Sequence, residues 1–268
     1  TALSTEFFCV EQRSQTLKEY MPVLSELCGF DLMALYKKYS VAQGYLRLNR
    51  KVKAPFVKKM KEMCDEMGMR FYVDSRVLIP RQDTETLVES VIIALHGKHE
   101  PKVLDLCTGS GCIGIALAHY RPDVTVTAVD MFPETAEVAE ENARRLGVSD
   151  RFTVQVGDVT KEIFSPNERF AGIVSNPPYI TLDEMKDLAP ELSYEPRAAL
   201  TDEGDGLSVI RGVLDTASRH LEAGGLLLME FGAEQGAVVS RLAREYSFFE
   251  VHILKDAAGH DRVLCARC

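Results

Sequence analysis

The chain has 268 residues, 46% of them hydrophobic, and a formal charge of −9, enough apolar material for one large core and a small satellite domain. No run approaches the roughly 18 apolar residues of a membrane span, and the first residues lack the basic-then-apolar order of a secretory signal, so a cytoplasmic protein is expected. Seven cysteines at irregular spacing point to free thiols in a reducing compartment rather than to a disulfide framework.

From residue 6 to about 66 the apolar positions recur at helical spacing, as in Leu24, Leu27 and Cys28, then Leu32, Leu35 and Tyr36, with breaks near Gly29 and Gly44. A small helical bundle is expected there. Residues 1–73 carry 12 Lys and Arg against 8 Asp and Glu, so the acidic charge belongs to the remainder. Arg47, Arg50, Lys51, Lys53, Lys58, Lys59 and Lys61 cluster in a stretch that reads as helical from Pro55. Such a run is ordinarily a solvated helix face; its sharper reading is a docking surface for an acidic protein or for RNA.

A strand-like segment at 70–79 leads into a second part in which short apolar runs alternate with amphipathic ones. Strands are predicted at 102–106, 124–130, 152–156, 170–175, 225–230, 248–254 and 262–266. Helices are predicted at 84–96, 112–119, 133–146, 206–222 and 234–245. This order is that of an α/β protein with a mostly parallel, doubly wound sheet covered on both faces. The boundary between the two parts is placed at residue 69/70, giving a domain over 1–69 and another over 70–268.

In such sheets a ligand binds outside the carboxyl ends of the strands. The first strand ends in Asp105-Leu106-Cys107-Thr108-Gly109-Ser110-Gly111, whose glycines let the backbone pass beneath a ligand at a helix N-terminus. The second ends in Asp130, about 20 residues on, where a carboxylate suits the hydroxyls of a ribose. The third ends in Gly157-Asp158, with a carboxylate suited to an exocyclic amine such as adenine's. Gly109-x-Gly111-x-x-Gly114 also fits the dinucleotide fingerprint. Asp105, just before the glycines, favours a cationic or ammonium-bearing ligand over a pyrophosphate, which points to S-adenosylmethionine.

The fourth strand delivers Asn176-Pro177-Pro178-Tyr179. A planar nitrogen is a poor nucleophile, because its lone pair is delocalised, and a site must hold it firmly. The Asn176 side-chain oxygen and the Pro177 carbonyl can accept the two protons of an NH2 group. The prolines fix φ and add no competing N–H, and Tyr179 offers a flat face to a planar group. Methyl transfer to an amide or exocyclic amine, driven by positioning and charge stabilisation, is the chemistry this pattern suits. Pro-Pro alone would mean no more than a turn after a strand.

Taken together, the ordered series resembles the release-factor glutamine methyltransferases over nearly all of 77–262. It comprises Val77-Leu78-Ile79-Pro80-Arg81-Gln82-Asp83-Thr84-Glu85, the 105–111 loop, Asp130, Ser175-Asn176-Pro177-Pro178-Tyr179-Ile180, Glu195-Pro196-Arg197-Ala198-Ala199-Leu200, Asp205-Gly206-Leu207 and Glu230-Phe231-Gly232. The resemblance implies a seven-stranded class I methyltransferase with a helical N-terminal domain that helps dock the substrate protein. The family methylates the side-chain amide of the glutamine in the Gly-Gly-Gln motif of peptide release factors, with S-adenosylmethionine as donor and S-adenosylhomocysteine as product, and without a metal.

Carried over by position, Cys107, Thr108, Gly109, Ser110, Gly111 and Asp130 hold the cofactor and Asp158 lies by its adenine. Asp105, Val159 and Asn176 are counted with the cofactor-binding set, and Pro80 and Arg81 are read either as lining its methionine end or as shaping the chain's entry into the first helix. Residues 176–179 grip the glutamine. The family usually has glycine at Cys107, threonine at Ser110, proline at Gln82 and often an aromatic residue at Val159. The first two are small changes expected to leave the turn intact. The family's Tyr-Ile-x-Gly element is not visible between 51 and 69.

The alternative enzyme is an adenine N6-methyltransferase of DNA or RNA, which also uses Asn/Asp-Pro-Pro-Tyr/Phe. That activity normally needs an additional basic recognition region, and the only basic candidate here is the N-terminal stretch, so nucleic acid is expected only as ribosome or RNA contact of that stretch. Cys265-x-x-Cys268 is half of a zinc pattern without a second half. Tyr194 and Glu195 are read as the edge of the substrate pocket, and Arg197 equally as a structural ion-pair partner.

Overall fold

The computed structural model describes residues 69–81, 83–188, 192, 194–256 and 258–268, together with two short strands, Ser40–Val41 and Arg47–Leu48, that pair antiparallel on either side of the predicted break at Gly44. Apart from those two strands, where a helical bundle is expected, and Met69, the domain expected over residues 1–69 lies outside the described residues, as do Gln82 and the basic cluster beyond Arg47.

The second part forms a seven-stranded sheet from β1 (Lys102–Leu106), β2 (Thr125–Asp130), β3 (Phe152–Val156), β4 (Phe170–Ser175), β5 (Leu221–Glu230), β6 (Phe249–Lys255) and β7 (Asp261–Arg267). Its spatial order is β3-β2-β1-β4-β5-β7-β6. All pairings are parallel except those of β7 with β5 and with β6. The helices are α1 (Thr84–Ala94), α2 (Cys112–Tyr120), α3 (Pro133–Arg145), α4 (Ser208–His220) and α5 (Gly236–Glu245). Strand order reverses between β1 and β4, which is where a ligand crevice belongs.

The strands lie where the apolar runs predicted, within a residue or two except for β5, which begins at Leu221. One expectation is corrected. Residues 70–79 are not a strand but an irregular segment with a turn at 75–76. It is fastened by Asn142 of α3, a wholly buried side chain whose Oδ1 accepts the Tyr72 N–H at 2.7 Å and whose Nδ2 donates to the Tyr72 carbonyl at 2.9 Å. A carboxamide thus satisfies the backbone groups that a sheet ladder would otherwise take. Arg145 stacks over the Tyr72 ring at 4.8 Å.

Both faces of the sheet are covered because successive strand residues point to opposite sides. Val103, Val126, Val174, Leu226 and Leu228 pack with α1, α2 and α3; Leu104, Ile173, Leu227 and Met229 pack with α4 and α5. The central β4 is buried at every position, as expected of a parallel strand. α2 is buried throughout Cys112–Ala118. α3 begins with proline, carries Glu134 in its first turn and ends on Arg144 and Arg145, which complements its dipole. Truncating a fully buried residue such as Leu104 or Ile173 to alanine costs about 2–5 kcal/mol, so the frame of the site is stiff.

Candidate active site

The strand registers set Leu106 beside Val129 and Ser175, Asp130 beside Val156, and Ser175 beside Met229. The carboxyl ends of β3, β2, β1, β4 and β5 therefore stand in one row. A cavity of about 750 Å³ opens over it, bordered by Pro80, Arg81, Cys107 to Ser110, Asp130, Asp158, Val159, Asn176 and Pro178.

Asp105 holds the floor of the loop together. Its Oδ2 accepts from Thr108 Oγ1 at 2.7 Å and from the Gly114 N–H at 3.0 Å. The residue is fully buried, and burial pushes its carboxyl up to about 7, against the pull of those two donors. Gly114 is required by close approach: a Cβ there would stand 2.7 Å from Phe152 and 2.9 Å from Asp105 Oδ2. Asp105 thus lies behind the cavity wall, and it takes an N–H of the α2 N-terminus that a phosphate would need.

Asp130 Oδ2 accepts the Gly109 N–H at 3.0 Å and its Oδ1 the Phe132 N–H at 3.2 Å. Burial raises its carboxyl above the ordinary value. Asp158 is held well below it, at about 2, chiefly by the Thr160 hydroxyl at 2.6 Å and by Lys161, whose ammonium lies at 2.9 Å. Both carboxylates border the cavity and retain free lone pairs. Cys107 adopts φ +58°, a left-handed conformation that explains why glycine suits this position. Its thiol is raised by burial.

At the other side, Ile79 N–H donates to Glu195 Oε2 at 3.2 Å and Arg81 pairs with the same carboxylate, so the 79–81 segment is clamped to the loop after β4. Arg197 pairs with Glu203, the structural partnership that the sequence suggested. Tyr194 is 83% exposed and does not border the cavity.

The tetrapeptide divides in two. Asn176 and Pro178 border the cavity, whereas Pro177 is buried and Tyr179 turns inward, its hydroxyl 3.3 Å from Glu230 Oε1. Asn176 Nδ2 donates to Thr84 Oγ1 at 3.3 Å, and Thr84 Oγ1 donates to Glu230 Oε2 at 2.8 Å. Sequence reasoning gave no role to Thr84, Asn142 or Gln235. Gln235 Nε2 donates to the Tyr179 carbonyl at 3.0 Å, and its only sequence signal was its place three residues after Glu230-Phe231-Gly232.

The wall fits an S-adenosylmethionine-sized cation. Among the described residues Ser110 Oγ, buried at the cavity, has no hydrogen-bond partner, and a Cβ on Gly109 would meet no atom of them within 4 Å, so the loop leaves both a polar group and space for a ligand. Asp130, Glu134, Asp158, Asp202 and Glu203 border the cavity, and the guanidinium groups there, Arg76, Arg81 and Arg197, are each paired with an acid, Asp74, Glu195 and Glu203, so the wall favours positive over negative charge. Among the described residues no group of three or more His, Cys, Asp or Glu is placed to hold a metal ion.

Residues 82–235 match the family described as "Methyltransferase small domain". The release factor glutamine methyltransferase of Clostridium acetobutylicum is 36% identical over 228 residues, 85% of this chain and 80% of that protein. That of Cereibacter sphaeroides is 42% identical over 203 residues, 75% of this chain and 70% of that protein. Among solved structures, the fold resembles the hMettl16 catalytic domain, determined in complex with the MAT2A 3'UTR hairpin 1, with TM-score 0.60, 15% identity, and coverage of 96% of this chain and 94% of that one. It also resembles a methyltransferase from Pyrococcus furiosus, with TM-score 0.52, 16% identity, and coverage of 82% and 98%. At those identities the likeness concerns the fold alone, whereas the sequence relatives, the matched domain and the carboxylate-lined crevice agree on one chemistry: the chain is an S-adenosylmethionine-dependent enzyme of the release factor glutamine methyltransferase family.

Proposed function

We infer that this enzyme transfers a methyl group from S-adenosylmethionine to the side-chain amide nitrogen of the glutamine in the Gly-Gly-Gln motif of peptide chain release factors. The observation that carries the reading is the Asn176 carboxamide at the end of β4. Its Nδ2 is engaged by Thr84, while among the described residues its Oδ1 receives no hydrogen bond, so an acceptor borders the cavity where a planar NH2 group would enter.

S-adenosylmethionine, when bound, supplies an electrophilic methyl group on a sulfonium. The chain's own residues do the holding. Asp130 is assigned to the ribose hydroxyls, Asp158 to the adenine amine with Val159 beside it, and the 107–111 loop, braced by Asp105, to the cofactor's body. Pro80 and Arg81, held by Glu195, border the remaining wall. Asn176 Oδ1 accepts one amide proton and fixes the direction of the nitrogen lone pair; the Pro177 carbonyl is the second acceptor that the motif assigns, although Pro177 itself is buried and does not border the cavity. Pro178 closes the wall, and Tyr179 anchors the turn through Glu230.

The basic N-terminal part is read as the docking region for the release factor, with any nucleic-acid contact confined to the ribosome or RNA at that stretch. The cytoplasm is the compartment this reading assigns. Among the described residues no helix is long and apolar enough to cross a membrane.

The experiment is methyl transfer from donor labelled in its methyl group, offered purified unmethylated release factor beside adenine-containing DNA and RNA, with mass mapping of the product. Label on the Gly-Gly-Gln glutamine is expected. Label on adenine alone would overturn the acceptor while keeping the role of Asn176.

A further inference from the structure

Glu230 is the last residue of β5 and only 2% exposed. Its two oxygens are bound separately: Oε2 by the Thr84 hydroxyl, from the first residue of α1, and Oε1 by the Tyr179 hydroxyl. Thr84 in turn meets the Asn176 carboxamide. The four side chains form one run, Asn176–Thr84–Glu230–Tyr179, whose ends are the first and last residues of the tetrapeptide and whose middle comes from two elements 146 residues apart.

The order of donors along this run is fixed by proton count. A carboxylate only accepts, so the single hydroxyl proton of Thr84 points at Glu230. What Thr84 Oγ1 then presents to Asn176 is a lone pair, and only the NH2 end of the carboxamide can face it. Oδ1 is therefore the end left for an incoming amide. The two ends of a carboxamide have the same shape, so without such a partner it turns over at little cost. Turned over, it would present N–H groups to a substrate nitrogen that itself carries only donors.

We propose that Glu230 and Thr84 are positioning residues for methyl transfer, which set the orientation of the Asn176 carboxamide through the Thr84 hydroxyl and hold Tyr179 at the far end of the same turn. The proposal rests on the acceptor being a planar NH2 group, amide or amine. It does not depend on which molecule carries it.

The groups facing Glu230 are Thr84, Tyr179, the Arg262 guanidinium, the Asp83 carboxylate and the Cys112 thiol. Burial raises the Glu230 carboxyl to about 7, with Thr84 and Arg262 pulling it down and Asp83 pushing it up. A protonated Glu230 can donate to Thr84 and release the Thr84 proton toward Asn176, which permits the wrong orientation. Turnover should then rise with pH through this ionisation.

Glu230→Gln keeps the shape but can reverse the run, since its NH2 group can donate to Thr84. We expect turnover to fall about tenfold to hundredfold, the loss of an orienting hydrogen bond to a charged group. Donor affinity should stay within about twofold, the melting temperature should be maintained, and the ionisation near neutrality should vanish from the kcat profile. Thr84→Val should behave alike, and Thr84→Ser should recover most of the activity. Variants are compared on whichever acceptor the wild type labels, amide or adenine, so failure of the release-factor reading is seen separately. Wild-type turnover and pH profile in Glu230→Gln, or equal impairment in Thr84→Ser and Thr84→Val, would overturn the proposal.

Discussion

Gly206 and the main-chain oxygen of Tyr179 adjoin so closely that a Cβ built on Gly206, whose φ is +70°, would stand 2.2 Å from that oxygen. Gln235 completes the arrangement. Its Nε2 reaches the Tyr179 carbonyl at 3.0 Å and the Gly206 carbonyl at 3.4 Å, and its Oε1 takes the Gly232 N–H at 3.0 Å. The segment before α4 is held as well, because Asp202 accepts the N–H groups of Gly204, Gly206 and Ser208 at 2.8–2.9 Å. The backbone of the 176–179 turn is thus fixed by residues far from it in the chain.

Gly206→Ala combines a left-handed φ with a backbone clash, and should destabilise the protein by at least about 2 kcal/mol while displacing Tyr179. Thermal unfolding and single-turnover transfer measured together are expected to show both losses. An unchanged melting temperature would mean that the segment moves aside freely.

Asn176→Ala removes the acceptor assigned to the reacting group. Turnover should fall by about 10²-fold or more while donor affinity changes little, since the interaction serves the transferring nitrogen rather than the cofactor. Single-turnover kinetics beside equilibrium binding of the donor separate the two. Parallel loss of both would count against the assigned role.

Asp105 carries a pH prediction. Its carboxyl sits at about 7 in the folded protein against an ordinary value of 3.8. Between those values the folded chain keeps a proton that the unfolded chain has lost, so stability falls as pH rises from about 4 to 7 and levels off above. Glu230 and Asp130 act in the same direction; Asp74, Asp123 and Asp158, held at about 2, act oppositely and only below pH 4. Urea denaturation of the ligand-free protein should show Asp105→Asn losing at least about 1 kcal/mol of the difference between pH 5 and pH 8. Equal slopes in the two proteins would refute it.

Cys107 stands at φ +58° and borders the cavity. Cys107→Gly should leave donor binding and melting temperature near those of the wild type, because glycine adopts this conformation without strain. Cys107→Val, β-branched in a left-handed position, should lose about 2 kcal/mol of stability and weaken donor binding. Calorimetric titration of both variants checks the contrast; similar affinities in the two would show that the loop conformation is free to change.

Much of the site was legible because its signals are local. A run such as 170–175, without a charge, apolar up to Ser175 and followed by Asn-Pro-Pro, specifies a buried strand and its stop from nearest neighbours alone, and β4 lies at those residues. The sequence leads one to expect that cysteine at 107 leaves the turn intact, whereas the left-handed φ of +58° there is a property of the folded loop. The segment at 70–79 was misread because its residues look strand-like, while its partner is the carboxamide of Asn142, 70 residues away from Tyr72.

The sequence by itself determined the alternation of strands and helices, the row of strand ends carrying Cys107, Asp130, Asp158 and Asn176, and the family, since each rests on periodicity or on a short contiguous motif. Tertiary structure alone decided that Asp105 braces the loop from behind, that Tyr179 turns inward, that Gln235 and Gly206 seat its carbonyl, and that Thr84 and Glu230 meet Asn176. The physical reason is that a hydrogen bond depends on distance and direction in space, and these partners come within 3.5 Å only after the sheet has stacked its strands and the helices have closed over both faces.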